Sequence, residues 1–507
     1  MIKYLIAHDL GTSGDKATLF TTEGVLKNSI TVPYKTHFFN SNWSEQNPEE
    51  WWQAFCQANY QLLIGIDKKQ VAGLAFSGQM MGCVPVDKNG NALRNAIIWA
   101  DQRSQIQERH LREQINEWEF YQITGHKISS SYSLEKLMWI RDNEPEIFSK
   151  TFKMLQPKDY IINRITGEFV TDYSDASGTN CFDLNTFQWS QRILDCAGIA
   201  RELLPEAYPS THVAGVVRKE IAETCGLEPG TMVVIGAGDG VCAAVGAGSI
   251  RENMAFNYLG SSAWIAYTSK KPVYDPLMRT YNWAHMIPGY ITPNGTMQAA
   301  GNSYQFIKDL LFNDKMFELE TADSNNTIYS LIDSAIESSP VGANGLLFLP
   351  YLLGERSPRW NPDARGAFVG LKMEHTKGDL ARACVEGVAM NLCIILDIFR
   401  SSTSFTCMNV IGGLAQSQVI LQILSDVYGL SLNPLCQLNE ATSMGAAVAA
   451  GVGVGALSGF DSIDRFIRIA PPVKPNELHQ QRYVSVANAF EQCYQALLPV
   501  YKTIRTI

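Results

Sequence analysis

Two aspartates follow apolar, strand-like runs and have neighbours that suggest chemistry. Asp9 lies at the end of the run YLIAHDL, before the turn Gly-Thr-Ser-Gly, and Asp239 follows the run VVIGAG. A carboxylate beside a glycine- and hydroxyl-rich turn suits a hard cation such as Mg²⁺, held directly or through water. A single carboxylate in apolar surroundings suits a general base that takes a proton from a hydroxyl. Together they predict phosphoryl transfer to an alcohol.

The turn that follows Asp9 has the composition of a phosphate-binding loop. Gly11 permits close backbone approach, successive N–H groups form an anion-binding concavity, and the hydroxyls of Thr12 and Ser13 add donors. Lys16 adds a positive charge, or else alternation along the strand sends it to solvent. The alternative is an ordinary surface hairpin, because Asp, Gly and Ser are the residues that turns use in any case.

Asp239 is the candidate general base because few carboxylates in the chain have such apolar surroundings. The strand-like residues 233–235 end in glycines, and an uncharged run of small residues that predicts the start of a helix follows. Such a carboxylate would accept the proton of a hydroxyl as its oxygen attacks a phosphorus atom. The alternative is that Asp239 is only the N-cap of that helix.

Two other phosphate-binding designs do not fit the sequence. A P-loop needs the pattern G-x-x-x-x-G-K-[ST], which does not occur in the chain. A dinucleotide fold needs G-x-G-x-x-G between a strand and a helix, whereas GVGVGA from Gly451 follows a helical pattern and GAGDG has the wrong spacing. The hairpin design is therefore the one that remains.

A second hairpin echoes the first at residues 258–268. There YLGSSAWIAYT repeats the order strand, Leu-Gly, two hydroxyl residues, small residue, strand. We expect Gly260, Ser261 and Ser262 to form a second phosphate-binding turn, so that two halves grip one phosphate chain from both sides. The alternative is that the two segments resemble each other only because hairpins in general use the same turn residues. The echo predicts a boundary near residue 250 and two domains, 1–250 and 251–507.

Size, charge and cysteine content narrow the class of protein. A chain of 507 residues is too long for one hydrophobic core, and a formal net charge of −9 argues against nucleic acid as a partner. Eleven scattered cysteines without a CxxC pair, and no signal-peptide pattern, favour a cytoplasmic protein with reduced thiols. The uncharged stretch 443–460 consists almost entirely of Ala, Gly and Val, so we expect a packed internal helix and loop and no membrane partner.

These residues need rigid elements to position them, and alternating strands and helices along the whole chain predict an α/β fold. The strand-like runs are YLIAHDL, KATLF, VAGLAFSG, VVIGAGDG, NMAFNYLG, WIAYT and MNVIGG. The segments NPEEWWQAFCQANYQLL and KGDLARACVEGVAMNLCIILDIFR have apolar residues at the spacing of half-buried helices. Asp379 and Arg400 match the dipole of the second helix.

With these features in view, the chain resembles the FGGY carbohydrate kinases, and most of all their xylulokinase branch. The likeness runs nearly from end to end, through the blocks WSEQNPEEWW, FSGQMMG, AIIWADQRS, LQPKDYIINRITGEFVTDYSDASGT, LPYLLGERSPRWNPDARGAFVGL, VIGGLAQSQVILQILSDVYGL and EATSMGAAVAAG. The resemblance implies an actin-like and hexokinase-like (ribonuclease H-like) fold: two α/β domains with an interdomain cleft for MgATP and a sugar.

The resemblance also implies roles for positions of this sequence. Asp239 matches the catalytic base and Asp9 the carboxylate associated with Mg²⁺, so both would lie near the metal. ATP would be bound by Gly11, Thr12, Ser13, Lys16, Gly260, Ser261, Ser262, Gly301, Gln305, Gly412, Gly413 and Ser417. The sugar would be bound by Gln79, Met80, Met81, Asp101 and Asp239. Dimers are common in the family, so a homodimer is a further expectation.

Several of these positions have structural alternatives. A Met-Met pair at a strand end, such as Met80 and Met81, ordinarily belongs to a core. Asp101 would then pair with Arg103 or Arg94 on a surface. Glu355 and Arg356 in GERSPRW are interpreted as an interdomain ion pair.

Two departures from the xylulokinase pattern lie at the sugar site. A histidine and an asparagine of that pattern are replaced here by Met81 and Gly240. Because lost hydrogen-bonding partners change which hydroxyls a site accepts, the substrate is expected to be a ketopentose such as D-xylulose, giving the 5-phosphate, or another polyol (pentitol, tetritol, glycerol or hexulose). From a different class, an actin-like ATP-dependent clamp that phosphorylates nothing small also stays open.

Overall fold

The first half of the chain alternates strands and helices, in a computed structural model that describes residues 3–313 and 328–504. Its strands are β1 (Tyr4–Leu10), β2 (Gly14–Thr21), β3 (Leu26–Pro33), β4 (His37–Phe39), β5 (Trp43–Gln46), β6 (Val71–Gly78), β7 (Val84–Val86), β8 (Ala96–Ile97), β9 (Lys153–Leu155), β10 (Val170–Asp172), β11 (Phe182–Asp183), β12 (Gln188–Trp189), β13 (Glu206–Tyr208), β14 (Val213–Val216), β15 (Met232–Val234) and β16 (Ala237–Gly238). Its helices are α1 (Pro48–Leu62), α2 (Gln105–Gln114), α3 (Glu117–Thr124), α4 (Ser133–Asn143), α5 (Pro145–Lys150), α6 (Pro157–Thr166), α7 (Tyr173–Ser177), α8 (Gln191–Ala197), α9 (Lys219–Cys225) and α10 (Asp239–Gly246).

The second half continues the same alternation. Its strands are β17 (Ala255–Leu259), β18 (Ala263–Tyr267), β19 (Tyr281–Ala284), β20 (Ile291–Met297), β21 (Leu347–Leu349), β22 (Ala367–Val369), β23 (Cys407–Ile411) and β24 (Ser431–Pro434). Its helices are α11 (Gly301–Leu311), α12 (Ile328–Ser338), α13 (Lys377–Arg400), α14 (Gln418–Tyr428), α15 (Ala441–Gly453) and α16 (Glu477–Ile504).

The two large sheets share one plan. The first has the order β14-β15-β6-β1-β2-β3, with β16 also paired to β6, and the second has the order β19-β20-β18-β17-β23-β24. In each sheet an antiparallel hairpin, β1–β2 or β17–β18, has its first strand paired in parallel with a later strand, β6 or β23. The predicted two-domain α/β fold is confirmed.

The first sheet is covered on both faces, which explains why β1 and β6 are apolar almost throughout. Helix α1 packs against β2 and β3, and helix α15 packs against β1 and β6. Because α15 comes from the second half of the chain, the halves share a core. The boundary near residue 250 stays a prediction.

Helix α15 is the packed internal helix that the small residues of 443–460 predict. A Cβ on Gly246 of α10 would lie 1.8 Å from the carbonyl oxygen of Ala441, and a Cβ on Gly445 would lie 2.1 Å from that of Cys242. Glycine at both positions therefore lets α10 and α15 touch backbone to backbone. Within the described ranges, no helix is both long and apolar enough to cross a membrane.

The two predicted amphipathic helices form where the sequence places them. Helix α1 begins after Asn47, whose side chain accepts the N–H of Glu49. Helix α13 begins with a capping box between Thr376 and Asp379 and ends at Arg400. The side chains at these ends satisfy N–H groups that the helices leave free.

Candidate active site

The candidate site lies where three neighbouring strands of the first sheet end. Asp9 pairs in register with Ser77, and Gly78 pairs with both Leu10 and Gly238. Strands β1, β6 and β16 are parallel, so their carboxyl ends meet at one edge of the sheet, where open α/β sheets bind ligands. The first turn, the GQMMG segment and the second carboxylate follow these ends and lie side by side.

Asp9 is half-buried, and both of its oxygens accept hydrogen bonds from hydroxyls. Oδ1 accepts from Ser77 and Oδ2 from Thr442, each at 2.7 Å. Burial raises the pKa of this carboxyl, although the two hydroxyls oppose the shift. Thr442 belongs to α15, so Asp9 links the two halves of the chain. Neither hydroxyl residue can be identified from local sequence, because both contacts depend on the tertiary fold.

Asp239 is the half-buried first residue of α10, and its Oδ1 accepts the N–H of Gly240 at 2.7 Å. The N-cap is Gly238, so the alternative that Asp239 caps this helix is wrong. Burial, with a further contribution from the negative charge of Asp9, raises the pKa of Asp239 to about 7. A carboxyl with this pKa can exchange a proton near neutral pH.

The first turn, residues 11–13, is held by side chains of the first half. Gln46 Nε2 donates to the carbonyl of Thr12 at 2.6 Å, and Trp99 Nε1 donates to the Thr12 hydroxyl at 2.9 Å. Because that hydroxyl accepts from the indole, its own proton is left for another acceptor. Ser13 is exposed. The turn therefore presents hydroxyl groups beside the first carboxylate.

The second turn, residues 260–262, is held mainly by backbone groups. Gly301 N donates to the carbonyl of Gly260 at 2.9 Å, and Asn302 N donates to that of Ser261 at 3.0 Å. A Cβ on Gly301 would lie 2.4 Å from the Gly260 oxygen. Glycine at this position therefore lets the start of α11 lie directly against the turn.

A cavity of about 750 Å³ opens beside the second turn. Six residues predicted to bind ATP line it, Gly260, Ser261, Gly301, Gln305, Gly413 and Ser417, together with others that include Tyr258, Tyr304, Tyr329 and Asp333. Small-molecule sites have volumes of about 300–1,000 Å³. The fold thus brings together, at one cavity of suitable size, residues that are far apart in sequence.

The two glycines after β23 have different surroundings. Gly412 is buried with φ of 96°, and a Cβ there would lie 2.6 Å from the carbonyl oxygen of Leu259. Gly413 is exposed and has open space around its Cβ position. Gly412 therefore lets β23 end against β17, and Gly413 is the one of the two glycines that lines the cavity.

Two polar side chains at the cavity already have protein partners. Ser417 Oγ caps α14 and donates to Asp333 Oδ1 at 2.9 Å. Gln305 Nε2 donates to Asp309 Oδ1 at 2.8 Å. Contact of either with a nucleotide stays a prediction.

Lys16 joins the first hairpin to the second half of the chain. Its ammonium forms an ion pair with Glu440 at 2.7 Å and donates to the carbonyl of Asn439 at 2.8 Å. Lys16 is partly exposed, as the alternative of strand alternation expects, but it is paired and not free in solvent. Its predicted contact with ATP would have to compete with these partners.

Gln79 lies beneath the first turn. Its Nε2 donates to Gln46 Oε1 at 2.7 Å and to the carbonyl of Gly11 at 3.3 Å. Its Oε1 is buried and accepts no hydrogen bond. The Nε2 group of Gln79 therefore supports the first turn, while its Oε1 has no donor among the described residues. Contact of Gln79 with a sugar stays a prediction.

Met80 and Met81 are buried in the core that the two halves share, as the structural alternative expects. A Cβ on Gly238 would lie 2.5 Å from Met80 Sδ, so Met80 packs against the segment before the second carboxylate. Met81 has φ of 62°, a conformation that is unfavourable for a side chain of this kind. Lys136 Nζ donates to its carbonyl at 2.7 Å. Contact of either methionine with a sugar stays a prediction.

Asp101 is fully buried, and its oxygens are occupied by protein donors. Arg103 Nη2 donates to Oδ2 at 2.7 Å, and the N–H of Ser44 donates to the same oxygen at 2.6 Å. The Arg103 guanidinium stacks over Trp43 at 3.8 Å. The pairing with Arg103 is the predicted alternative, except that it lies in the interior and not on a surface. This geometry favours a structural role over the predicted sugar contact.

The interpretation of Glu355 and Arg356 as an interdomain ion pair is wrong. Glu355 is buried and accepts the N–H groups of Gln298 and Arg356 and the side-chain amide of Asn391. These donors all belong to the second half and satisfy the carboxylate locally. In residues 3–313 and 328–504 the Arg356 guanidinium forms no ion pair, although its positive charge partly opposes the rise that burial causes in the pKa of Glu355.

Aromatic side chains from both halves lie beside the second carboxylate. His126 packs against Trp283 with ring centroids 4.5 Å apart, and Tyr281 against Trp283 at 5.3 Å. Burial raises the pKa of Tyr281, the charge of Arg356 lowers it and that of Asp239 raises it. The cluster is therefore within electrostatic reach of both charges. Local sequence patterns do not reveal it, because its members are far apart in the chain.

The donor set suits a hard cation with few protein ligands. Across the described ranges, no group of three or more His, Cys, Asp and Glu side chains could hold a metal. Asp9 and Asp239 are two neighbouring oxygen donors, and the charge of Asp9 raises the pKa of Asp239. Mg²⁺ typically keeps several waters and binds one or two carboxylates plus phosphate oxygens. The residues present therefore fit Mg²⁺.

Known proteins are similar to this chain in sequence and in fold. The family model described as "FGGY family of carbohydrate kinases, N-terminal domain" matches residues 4–246, and the corresponding C-terminal domain matches residues 255–454. A xylulose kinase of Staphylococcus epidermidis is 32% identical over 505 residues, 98% of this chain and 98% of that protein. A gluconokinase of Bacillus subtilis is 32% identical over 474 residues, 92% of this chain and 91% of that protein. The structure of ligand-bound xylulose kinase from Lactobacillus acidophilus superposes with a TM-score of 0.92 at 26% identity, over 99% of this chain and 100% of that one.

Proposed function

This chain belongs to the FGGY family of carbohydrate kinases and is an ATP-dependent sugar kinase, and we propose that its acceptor is a ketopentose such as D-xylulose, phosphorylated at the 5-hydroxyl. The similarity to a xylulose kinase extends over nearly the whole chain, which supports D-xylulose as the acceptor. Family membership removes the alternative of a clamp that uses ATP without phosphorylating a small molecule.

The observation that carries the proposed phosphoryl-transfer mechanism is the pair of carboxylates at the ends of β1 and β16. Asp239, whose pKa is raised to about 7, is the group proposed as general base. As the sugar oxygen attacks the γ-phosphorus, Asp239 takes the hydroxyl proton, the bond from the γ-phosphorus to the bridging oxygen breaks, and ADP leaves. The proton then passes from Asp239 to water.

The two turns are proposed to hold the triphosphate from both sides. On one side are the amides of residues 11–13 with the hydroxyls of Thr12 and Ser13, and on the other are Gly260, Ser261 and Ser262. The adenosine would occupy the 750 Å³ cavity that the second turn borders. The links from Asp9 to Thr442 and from Lys16 to Glu440 hold the halves together, which favours exclusion of water as a competing acceptor.

Asp9, together with Asp239, is proposed to hold Mg²⁺ near the phosphates. Bound there, the metal would offset the negative charge of the phosphate oxygens. Ser77 and Thr442 would keep the Asp9 carboxylate in a fixed orientation.

A substrate panel tests this proposal. Coupled ADP release would be measured with D-xylulose, other pentuloses, hexuloses, pentitols, tetritols, glycerol and D-gluconate. We expect D-xylulose to give the highest kcat/KM and to stimulate ATP turnover strongly over the rate without sugar. A higher kcat/KM for another acceptor would replace D-xylulose, and equal turnover with and without every acceptor would contradict the kinase mechanism.

A sugar acid such as D-gluconate is the second candidate, and Arg356 is the observation that favours it. This half-buried guanidinium forms no ion pair in the described part of the chain, and its charge, like that of Asp239, acts on the pKa of Tyr281. A carboxylate is the natural partner for such a group. The relatives include a gluconokinase.

The Arg356→Gln variant separates the two candidates. For a sugar acid, kcat/KM is expected to fall by about 10- to 100-fold, because a charge-assisted hydrogen bond is lost. For D-xylulose, kcat/KM is expected to change little. Equal effects on both acceptors would rule out Arg356 as the group that recognises a carboxylate.

Two further expectations stay proposals of the same kind. A homodimer would be tested by size-exclusion chromatography with light scattering, and a cytoplasmic location by cell fractionation.

A further inference from the structure

A buried ionic cluster lies beneath the ends of β6 and β16. Lys158 Nζ is 2.7 Å from Asp159, 3.0 Å from Asp172 and 3.1 Å from Asp175, and all four side chains are fully buried. Removing charges from water is costly, and pairing alone often fails to offset the cost. A cluster of three acids and one base inside a domain therefore calls for a role besides stability.

The cluster touches both segments that carry the candidate site. A Cβ on Gly78 would lie 3.1 Å from Lys158 Cβ, and Gly78 is the first residue of GQMMG, directly before Gln79. On the other side, Ser174 Oγ donates to Asp172 Oδ2 at 2.6 Å and accepts the N–H of Gly238 at 2.9 Å. Gly238 is the residue directly before the proposed base. A continuous chain of contacts thus links Lys158, through Asp172 and Ser174, to the backbone N–H of Gly238.

The backbone before the base needs such support. Gly238 has no side chain of its own, and glycine adopts many backbone conformations at little cost. It serves as N-cap of α10 without a side-chain capping bond. Besides its strand pairing with Gly78, two contacts restrict it: its N–H donates to the Ser174 hydroxyl, and the Met80 side chain fills the space where a Cβ would lie. The orientation of the Asp239 side chain at the start of α10 therefore depends on these contacts.

We propose that Ser174 is a positioning residue for the phosphoryl-transfer step, which fixes the Gly238 peptide and thereby aims the Asp239 carboxylate at the acceptor hydroxyl. Asp172 and Lys158 hold the Ser174 hydroxyl in the orientation that accepts the Gly238 N–H. The inference rests on the proposed role of Asp239 as general base.

Ser210 offers a matched control. Its hydroxyl donates to the same oxygen of Asp172, Oδ2, at 2.8 Å, and in the described part of the chain this is the one hydrogen bond of that hydroxyl. Ser210→Ala and Ser174→Ala therefore each remove one buried hydroxyl from Asp172. Only Ser174→Ala also leaves the Gly238 N–H without an acceptor.

The experiment compares Ser174→Ala, Ser174→Cys, Ser210→Ala and Asp239→Asn in the full chain, with MgATP and with D-xylulose and D-gluconate as acceptors. For both Ser174 variants we expect kcat to fall by about 10- to 100-fold, because small misplacements of a reacting group have effects of this size. KM for the acceptor, the Kd of MgATP and the Tm should stay close to those of the unaltered protein. Cysteine preserves the volume but is a weak acceptor, so its loss of kcat would exclude a simple cavity effect. Ser210→Ala should keep its kcat.

Two results would overturn the inference. In the first, the kcat of Ser174→Ala equals that of Ser210→Ala, or the kcat of Ser174→Cys equals that of the unaltered protein. In the second, kcat falls in parallel with Tm in both serine-to-alanine variants. Failure of the underlying mechanism looks different, because Asp239→Asn would then retain full turnover.

Discussion

The two hairpin turns occupy equivalent positions in the two sheets but differ in what holds them. Residues 11–13 are fixed by side chains such as Gln46 and Trp99. Residues 260–262 are fixed by the backbone at the start of α11, with Gly301 directly against the turn. The same strand plan therefore supports two different local designs.

The residue two positions before each turn differs as well. In the first hairpin it is Asp9, near a second carboxylate, whereas in the second hairpin it is Tyr258, which stacks on Trp264 with ring centroids 3.9 Å apart. Tyr258 lines the large cavity. One strand plan, used twice, thus supports a site with two carboxylates in the first half and a cavity lined by several tyrosines in the second. We therefore expect substitutions near the first turn to affect chemistry and those near the second to affect nucleotide binding.

The largest expected effect is that of Asp239→Asn at the acidic site. We expect kcat to fall by about 10²–10⁴-fold, the range that a general base contributes. Isothermal titration with MgATP should give a Kd close to that of the unaltered protein, because the amide oxygen of Asn can still bind Mg²⁺ and both Asp9 and the nucleotide cavity are unchanged. Full activity of the variant would remove Asp239 from the mechanism.

Asp9→Asn comes next, and it tests the acidic site from the other side. We expect kcat to fall by about 10²-fold, as when a preorganised charged or polar group is lost from a transition state. The dependence on Mg²⁺ concentration should shift to higher values. Thr442→Val is the matched control, since it removes one hydrogen bond from Asp9 Oδ2 and keeps the charge. A smaller loss for Asp9→Asn than for Thr442→Val would contradict the account.

The pH dependence follows from the raised pKa of Asp239, about 7. The proposed base must be deprotonated, so kcat/KM for the acceptor should be constant above that pKa and fall about tenfold per pH unit below it. Stopped assays across pH 5 to about 9 measure this. A profile that is flat down to pH 5 would exclude Asp239 as the titrating group.

Gly412→Ala tests the second site and is expected to have an intermediate effect. A Cβ would lie 2.6 Å from the Leu259 oxygen at a φ of 96°, so the end of β17 must shift. We expect the Kd of ATP to rise about tenfold, with kcat at saturating ATP nearly unchanged. Gly289→Ala is the control, because Gly289 also has a positive φ, 81°, but has open space around its Cβ position and does not line the cavity. A loss in kcat without a change in ATP affinity would contradict the expectation that substitutions near the second turn affect nucleotide binding and not chemistry.

The smallest expected effect is that of Lys16→Gln. The ion pair with Glu440 is partly exposed, and pairs of this kind contribute about 1 kcal/mol or less. We expect KM for ATP to change by less than about fivefold, the factor that corresponds to such an energy. A change as large as that of Asp9→Asn would show that Lys16 leaves Glu440 to contact the phosphates.

Local sequence patterns predict the fold and the strand-end features of the site. Apolar runs that end in Asp9 or in the glycines before Asp239 indicate buried strands, and in the structure the carboxyl ends of these strands meet at one edge of the sheet. The small residues of 443–460 predict α15, because Ala and Gly allow helices to approach closely. Such features depend on neighbours in sequence and are therefore visible in one chain.

Contacts between distant segments are not visible in the same way. Thr442 reaches Asp9 across the two halves, and Trp99 reaches Thr12 from a separate loop. Asp101 has a side chain that could bind a sugar hydroxyl, yet in the interior it accepts hydrogen bonds from Arg103 instead. Side-chain chemistry allows several partners for each of these residues, and only the tertiary fold selects among them.

A crystal structure with Mg²⁺, a non-hydrolysable ATP analogue and the best acceptor from the panel tests the central claim most directly. The account predicts that the terminal phosphorus lies between residues 11–13 and 260–262, with the acceptor hydroxyl hydrogen-bonded to Asp239. A terminal phosphorus remote from either turn, or an acceptor hydroxyl out of reach of Asp239, would contradict it.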